Sequence, residues 1–292
     1  MGNTLDRLIS EIRQRTLVMG ILNVTPDSFS GDGLGEDIEA AVQQAHKMAH
    51  DGADILDVGG QSTRPGADVI PVKEELRRVV PVIARLASTG GPEVAISVDT
   101  NRSRVAEEAL RAGAHIVNDI SGLRDDPSIA DVVARYNAGL VVMHIQGTPR
   151  TMQVAPHYDD LLGEVIAYLH AAVDRAISAG VPKEHIWVDP GIGFGKTLEH
   201  NLELIRRLHD LKSLGCAILI GTSRKGFIGR ILATLNNGDA PPPQERVAGT
   251  GATLAISIAN GANIVRVHDV APAAQVARVT DAIVRATGNN TN

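Results

Sequence analysis

Eight short apolar runs recur along the 292 residues, and a longer stretch with helical spacing follows each of them. No other feature of the chain constrains its fold as much. The runs cover Leu17–Val24, Ala53–Gly59, Ala95–Asp99, His115–Ile120, Gly139–Ile145, Ile186–Asp189, Ala217–Gly221 and Ile264–His268. They are rich in Val and Ile, and most are continuous rather than alternating, as strands buried on both faces are. Helical spacing is clearest over Asp37–Ala49, Lys73–Leu86, Arg102–Ala112, Leu161–Ala179 and Leu198–Leu211. Strands that alternate with helices pair in parallel through right-handed crossovers, and eight of them are enough to close a barrel. The reading is a single (β/α)8 barrel over residues 1–292, with a short N-terminal helix at 3–14 and a flexible tail at 288–292. Glycine and proline place further mobile pieces at Gly31–Gly35, Gln61–Pro71 and Asn236–Pro243. An open doubly wound sheet is the alternative, but the first strand–helix turn, Asn23–Asp32, lacks GxGxxG.

The strand bodies are apolar, while their C-terminal ends are polar. The ends carry, in order, Asn23, Thr25 and Asp27; Gln61 to Arg64; Asp99 and Thr100; Asn118 and Asp119; His144 and Gln146; Asp189; Thr222 to Lys225; and Arg266, His268 and Asp269. One such cluster reads as a helix cap. Eight converge on one mouth of a barrel, where a ligand has to meet them or their desolvation is left uncompensated. Arg64, Lys225, Arg266 and His268 suit phosphate or carboxylate. Asp99, Asn118 and Asp189 suit a flat heterocycle rich in N–H donors, and Asp99 or Asp189 could equally be ion-paired to Lys225 or an arginine. Gly191–Thr197 resembles a phosphate-binding loop, but Pro190 stands where that motif needs glycine, so a nucleoside triphosphatase is not predicted. The glycines there predict a tight turn that sets Phe194 at the mouth. No clustered His/Cys set suggests zinc, and a hard cation among oxygen ligands stays open. Histidines 46, 50, 157, 170, 185, 200 and 209 lie mostly in helical stretches and read as surface residues.

Composition excludes several classes. With 28 basic and 34 acidic residues the net charge is −6, which argues against nucleic acid as the main partner. Three Tyr, three Phe and one Trp are too few for a base-stacking platform. The single cysteine, Cys216, allows no internal disulfide and suits a reducing compartment. No stretch approaches the ~20 apolar residues that span a membrane, so no membrane partner is expected.

The motifs together resemble the dihydropteroate synthase family. They are MGILNVTPDSFS (19–30), DVGGQSTRPG (57–66), SVDT (97–100), NDISG (118–122), MHIQGTP (143–149), DPGIGFGK (189–196), TSRK (222–225) and RVHD (266–269), in the family's order. The resemblance implies condensation of 6-hydroxymethyl-7,8-dihydropterin diphosphate with 4-aminobenzoate to 7,8-dihydropteroate and pyrophosphate. It implies Asp99, Asn118, Asp189 and Lys225 as hydrogen-bonding pterin ligands, with Met143 and Phe194 packed nearby. It implies Asn23, Arg266 and His268 on the diphosphate, and Thr63, Arg64, Pro65 and Gly226 around the aminobenzoate. Asp99, Lys225, Arg266 and His268 would carry the chemistry. The implied cofactor is Mg²⁺, held by Asn23 with Asp32 as a further candidate. A cytoplasmic homodimer joined through late helices, and a sulfonamide target, are also implied.

This sequence departs from the family pattern at three places. It reads SGDG at 30–33, Gln61 replaces a frequent Glu, and Gly226 follows the motif lysine where Ser is common. Three rivals remain: a pterin-dependent methyltransferase with a corrinoid partner, an aldolase with Lys225 as a Schiff-base lysine, and a non-catalytic pterin-binding paralogue.

Overall fold

The computed structural model describes residues 2–25, 34–63, 66, 68–88, 94–235 and 237–285. Eight parallel strands close into one barrel in sequence order, and β1 pairs with both β2 and β8. The strands are β1 Leu17–Asn23, β2 Ile55–Gly59, β3 Ala95–Asp99, β4 Ile116–Asp119, β5 Gly139–Met143, β6 Ile186–Asp189, β7 Ala217–Ile220 and β8 Ile264–Val267. The helices are α1 Gly2–Ile12, α2 Leu34–His50, α3 Val72–Ser88, α4 Ser103–Arg111, α5 Ile129–Tyr136, α6 Leu161–Ser178, α7 Leu198–Arg206, α8 Gly226–Leu232, α9 Val247–Ala259 and α10 Val270–Val284. The barrel expectation holds, and each strand begins or ends within two residues of its predicted bound. The long helix expected over Leu198–Leu211 stops at Arg206 and continues as a 3₁₀ turn over Leu208–Leu214.

The continuous apolar runs now have a reason. Successive strand residues point to opposite faces, and both faces are buried. Val18, Leu22, Leu56, Val58, Val98 and Val117 pack outward against the helices in the main core. Leu17, Met19, Ile55, Ala95, Ile116, Val141, Trp187, Leu219 and Ile264 point inward, so every strand contributes to the inner layer. Leu5, Leu8 and Ile12 of α1 join that layer and plug the N-terminal end. A segment that reads as a short helix is therefore the stopper of the barrel.

Of the pieces expected to move, residues 31–33, Arg64, Pro65, Ala67, Asn236 and the tail 288–292 lie outside the described residues. The second loop is clasped at its root: Arg102 Nη2 donates to Gln61 Oε1 (3.2 Å) and to the Ile70 carbonyl (2.8 Å). Arg102 is itself anchored on the buried Glu75 (2.6 Å).

Candidate active site

The inward parity that builds the dry layer continues up the strands and becomes largely polar. From Met19 it reaches Ile21 and Asn23; from Ile55, Asp57; from Ala95, Ser97 and Asp99; from Ile116, Asn118; from Val141, Met143; from Trp187, Asp189; and from Ile264, Arg266 and His268. These residues meet at the C-terminal mouth, which encloses a cavity of about 730 Å³. Asn23, Thr63, Asp99, Asn118, Met143, Asp189, Phe194, Lys225, Gly226, Arg266 and His268 all line it, as the sequence analysis expected. Asp32, Arg64 and Pro65 lie outside the described residues.

Parity also divides the polar strand ends, which corrects the expectation that all of them serve the mouth. Residues of the opposite parity turn away and tie the barrel to its helices and loops. Thr100 Oγ1 donates to Glu75 (2.6 Å). Asp119 accepts from the backbone N–H groups of Ser121 (2.8 Å) and Leu123 (2.6 Å) and so closes its own loop. His144 is buried between Tyr158 and Tyr168 and pairs with Lys196 Nζ (2.8 Å). A second correction concerns the histidines read as surface residues. His185 is buried at the start of β6, and His200 is half-buried, completing the capping box of α7 with Thr197.

On the floor of the cavity, Arg266 bridges two carboxylates. Its Nε donates to Asp57 Oδ2 (2.6 Å) and its Nη2 to Asp99 Oδ2 (2.6 Å). Asn118 Nδ2 donates to the same Asp57 oxygen (2.9 Å). Burial pushes the Asp99 carboxyl up to about 7, and the Arg266 guanidinium pulls the other way. Asp99 is thus ion-paired to an arginine, one of the two readings left open. Asp189 is different: its Oδ1 takes the Gly191 N–H (2.7 Å), and burial raises its pKa. Lys225 Nζ donates to the Ile192 carbonyl and sits 4.2 Å over the Phe194 ring centroid. Burial lowers Lys225 to about 8. Gly191 has φ +69°, and a side chain there would overlap the His144 carbonyl. This glycine is what lets the turn fold down and set Phe194 at the mouth.

The result is a slot with acceptors and Arg266 on its floor, an aromatic ring and a lysine on one wall, and His268 nearer the opening. It can hold a flat ring that offers N–H donors and carries a negative charge outward. A sequence profile of pterin-binding enzymes matches residues 19–268. The chain belongs to the pterin-binding enzymes. It is 51% identical over 272 residues to the dihydropteroate synthase of Synechocystis, covering 93% of this chain and 91% of that one. Among solved structures, it superposes with a TM-score of 0.85 and 46% identity on dihydropteroate synthase from Clostridium difficile in the presence of pteroic acid, covering 93% and 98% of the two chains. Dihydropteroate synthase from Xanthomonas albilineans with 4-aminobenzoic acid gives a TM-score of 0.83 at 42% identity, with 94% of each chain covered.

Sequence reasoning missed two residues of this pterin-binding enzyme. Asp57 was quoted only as part of a motif, although a carboxylate inside Ile55-Leu-Asp-Val on the inward parity is the signal that finds it. Lys196 lines the cavity, fully shielded, and donates to His144 Nδ1 and the Phe194 carbonyl (3.1 Å). Burial lowers Lys196 to about 7; burial and the Lys196 charge together hold His144 neutral, with its pKa down to about 2. No sequence signal separates Lys196 from a surface lysine. Among the described residues, no group of three or more His, Cys, Asp or Glu forms a metal centre, and no helix is long and apolar enough to cross a membrane.

Proposed function

We propose that this chain is a dihydropteroate synthase acting in folate biosynthesis. It joins 6-hydroxymethyl-7,8-dihydropterin diphosphate to 4-aminobenzoate and releases pyrophosphate. The observation that carries this reading is the set Asp99, Asn118, Asp189 and Lys225 together with Arg266 and His268, in one cavity of a chain so similar to named dihydropteroate synthases. Asp99, Asn118 and Asp189 accept from the N–H groups of the pterin ring, Lys225 donates to it, and Met143 and Phe194 pack on its faces. Arg266 and His268 hold the diphosphate. Thr63, Arg64 and Pro65 of the second loop and Gly226 at the start of α8 surround 4-aminobenzoate.

The CH2–O bond breaks first, and its electron pair leaves with pyrophosphate, whose growing charge Arg266 stabilises. The remaining cation is shared with the electron-rich dihydropterin and lies near the Asp99 carboxylate. The neutral amine of 4-aminobenzoate then forms the C–N bond and sheds a proton. No activated protein nucleophile is needed, because the attacking nitrogen belongs to 4-aminobenzoate. The donor set at the rim suits Mg²⁺. Asn23 would hold such an ion through its one neutral side-chain oxygen. When bound it neutralises diphosphate charge. We also propose a cytoplasmic homodimer. Exposed Ile256 on α9 and Val279 and Ile283 on α10 support contact through the late helices.

The test is pyrophosphate release from hydroxymethyldihydropterin diphosphate and Mg²⁺, with and without 4-aminobenzoate. The expected outcome is release that depends on 4-aminobenzoate and matches dihydropteroate formation. Tight pterin binding without turnover would replace the enzyme with a non-catalytic binder.

A further inference from the structure

We infer that Asp57 is the positioning residue of the ring site: it fixes which face of the Asn118 amide meets the ligand and where the Arg266 guanidinium lies. The inference rests on the pterin-binding reading above. Asp57 sits in the middle of β2, beside Ile21 of β1 and Ser97 of β3, one inward step below the mouth. It is completely buried and is not part of the cavity wall. Its Oδ2 accepts from both Asn118 Nδ2 (2.9 Å) and Arg266 Nε (2.6 Å).

An asparagine amide carries an acceptor and a donor of nearly the same shape, and its neighbours decide which of them turns to the ligand. An ionised carboxylate can only accept. Asp57 therefore draws in the Asn118 NH2 group and leaves Asn118 Oδ1 for the ring. Three groups from three strands, Asp99, Asn118 and Asp189, then present acceptors together, and the slot selects a ring edge of N–H donors. A hydroxyl, or an amide turned the other way, in place of Asp57 would let Asn118 reverse and offer a donor. The same carboxylate limits Arg266. With Nε on Asp57 and Nη2 on Asp99 (2.6 Å), only the remaining N–H groups of the guanidinium are left for an anion.

A role confined to fold stability fits less well. Among the described residues, Asp57 Oδ1 and the hydroxyl of its neighbour Ser97 have no hydrogen-bond partner. A buried carboxylate with one bare oxygen is a poor structural element, and an apolar residue would fill the same space at less desolvation. Asp57 is better explained by what its other oxygen holds.

The test uses the full chain with 6-hydroxymethylpterin in calorimetry and the diphosphate substrate in turnover. Asp57→Ala should weaken pterin binding on the order of a hundredfold, because it removes the shared acceptor of two site residues. Asp57→Asn can still accept both bonds through its one carbonyl oxygen, so it should recover most of that loss. Asn118→Asp should be as damaging as Asp57→Ala, since it sets two carboxylates face to face. The double variant Asp57→Asn/Asn118→Asp restores a donor–acceptor pair and should regain at least about tenfold over Asn118→Asp alone. The loss should appear mainly in the Kd and KM for the pterin and less in kcat. Wild-type affinity in Asp57→Ala would overturn the proposal. So would an Asp57→Asn variant as weak as Asp57→Ala, or a double variant no better than Asn118→Asp. If Asp57→Ala fails to fold, the isosteric Asp57→Asn and double variants still decide. A wild-type protein that binds pterin without turnover defeats the functional reading alone, and the affinities still test Asp57. A wild-type protein that binds no pterin defeats both.

Discussion

The plug and the mouth of this barrel are made by the same strand faces, a few residues apart. At the N-terminal end, inward residues such as Leu17, Ile55, Val141 and Ile264 meet Leu8 of α1 in a layer without charge. At the C-terminal end the same parity delivers Asp99, Asn118, Asp189 and Arg266. Backbone geometry is common to both ends, so side-chain chemistry alone separates the stopper from the site. The plug is held together by apolar packing. The mouth pairs Asp57 and Asp99 through Arg266 and sets Asp189 and Lys225 on backbone groups, in an arrangement that also leaves acceptors facing the cavity.

Four experiments break or sharpen this contrast. The largest effect is expected from Arg266→Ala, which leaves Asp57 and Asp99 unpaired at the floor. Breaking a buried pair costs about 3–5 kcal/mol, and the 20 % exposure of the Arg266 side chain puts this case at the lower end. Turnover should fall about 10²- to 10³-fold as well, through loss of charge stabilisation on pyrophosphate. Unchanged thermal unfolding would show that the floor charges do not depend on Arg266.

Leu8→Ala should act on the other region only. Leu8 is fully buried in the plug, and such a truncation costs about 2–5 kcal/mol, mostly as a cavity. Turnover measured well below the unfolding temperature should stay near the wild-type value. A comparable loss of kcat/KM would mean that the plug shapes the mouth.

Asp189→Asn comes next. It keeps the shape of a buried ring acceptor, and the loss of a charge-assisted bond should weaken pterin binding by about 1–3 kcal/mol in calorimetry. Equal affinity would remove Asp189 from the ring site.

The smallest effect is a pH dependence. Asp99 titrates near 7, raised by burial, and Lys225 near 8, lowered by burial. Below about 7 Asp99 gains a proton and is lost as a charged acceptor. Above about 8 Lys225 loses its proton and weakens as a donor. Pterin affinity should therefore peak between these values and fall on both sides. A profile flat from pH 6 to 9 would show that neither group changes charge in the binding range.

Much of this was legible in the chain. The alternation of strands and helices predicted the barrel, because burial on both faces forces apolar runs. The site residues at the strand ends were legible because a barrel gathers those ends. The same reasoning overreached at Thr100, Asp119 and His144, since a list of polar ends carries no parity until the strand is anchored. It also passed over Asp57, which stands inside an apolar run rather than at its end. Lys196 was invisible because burial of one lysine depends on His144, 52 positions away, which reaches it only through the fold.

The sequence by itself determined the number of strands, their parallel pairing, the end of the barrel that is polar and the residue types gathered there. These follow from local periodicity and from the chemistry of each side chain. Only the tertiary structure decided which oxygen meets which donor. Asp57, Asn118 and Arg266 lie on three strands, 61 and 209 positions apart from Asp57, and barrel closure alone brings them within hydrogen-bond reach. Their pairing sets the direction of an amide and the charge of a floor, because hydrogen bonds and desolvation act over a few ångströms of space regardless of separation along the chain.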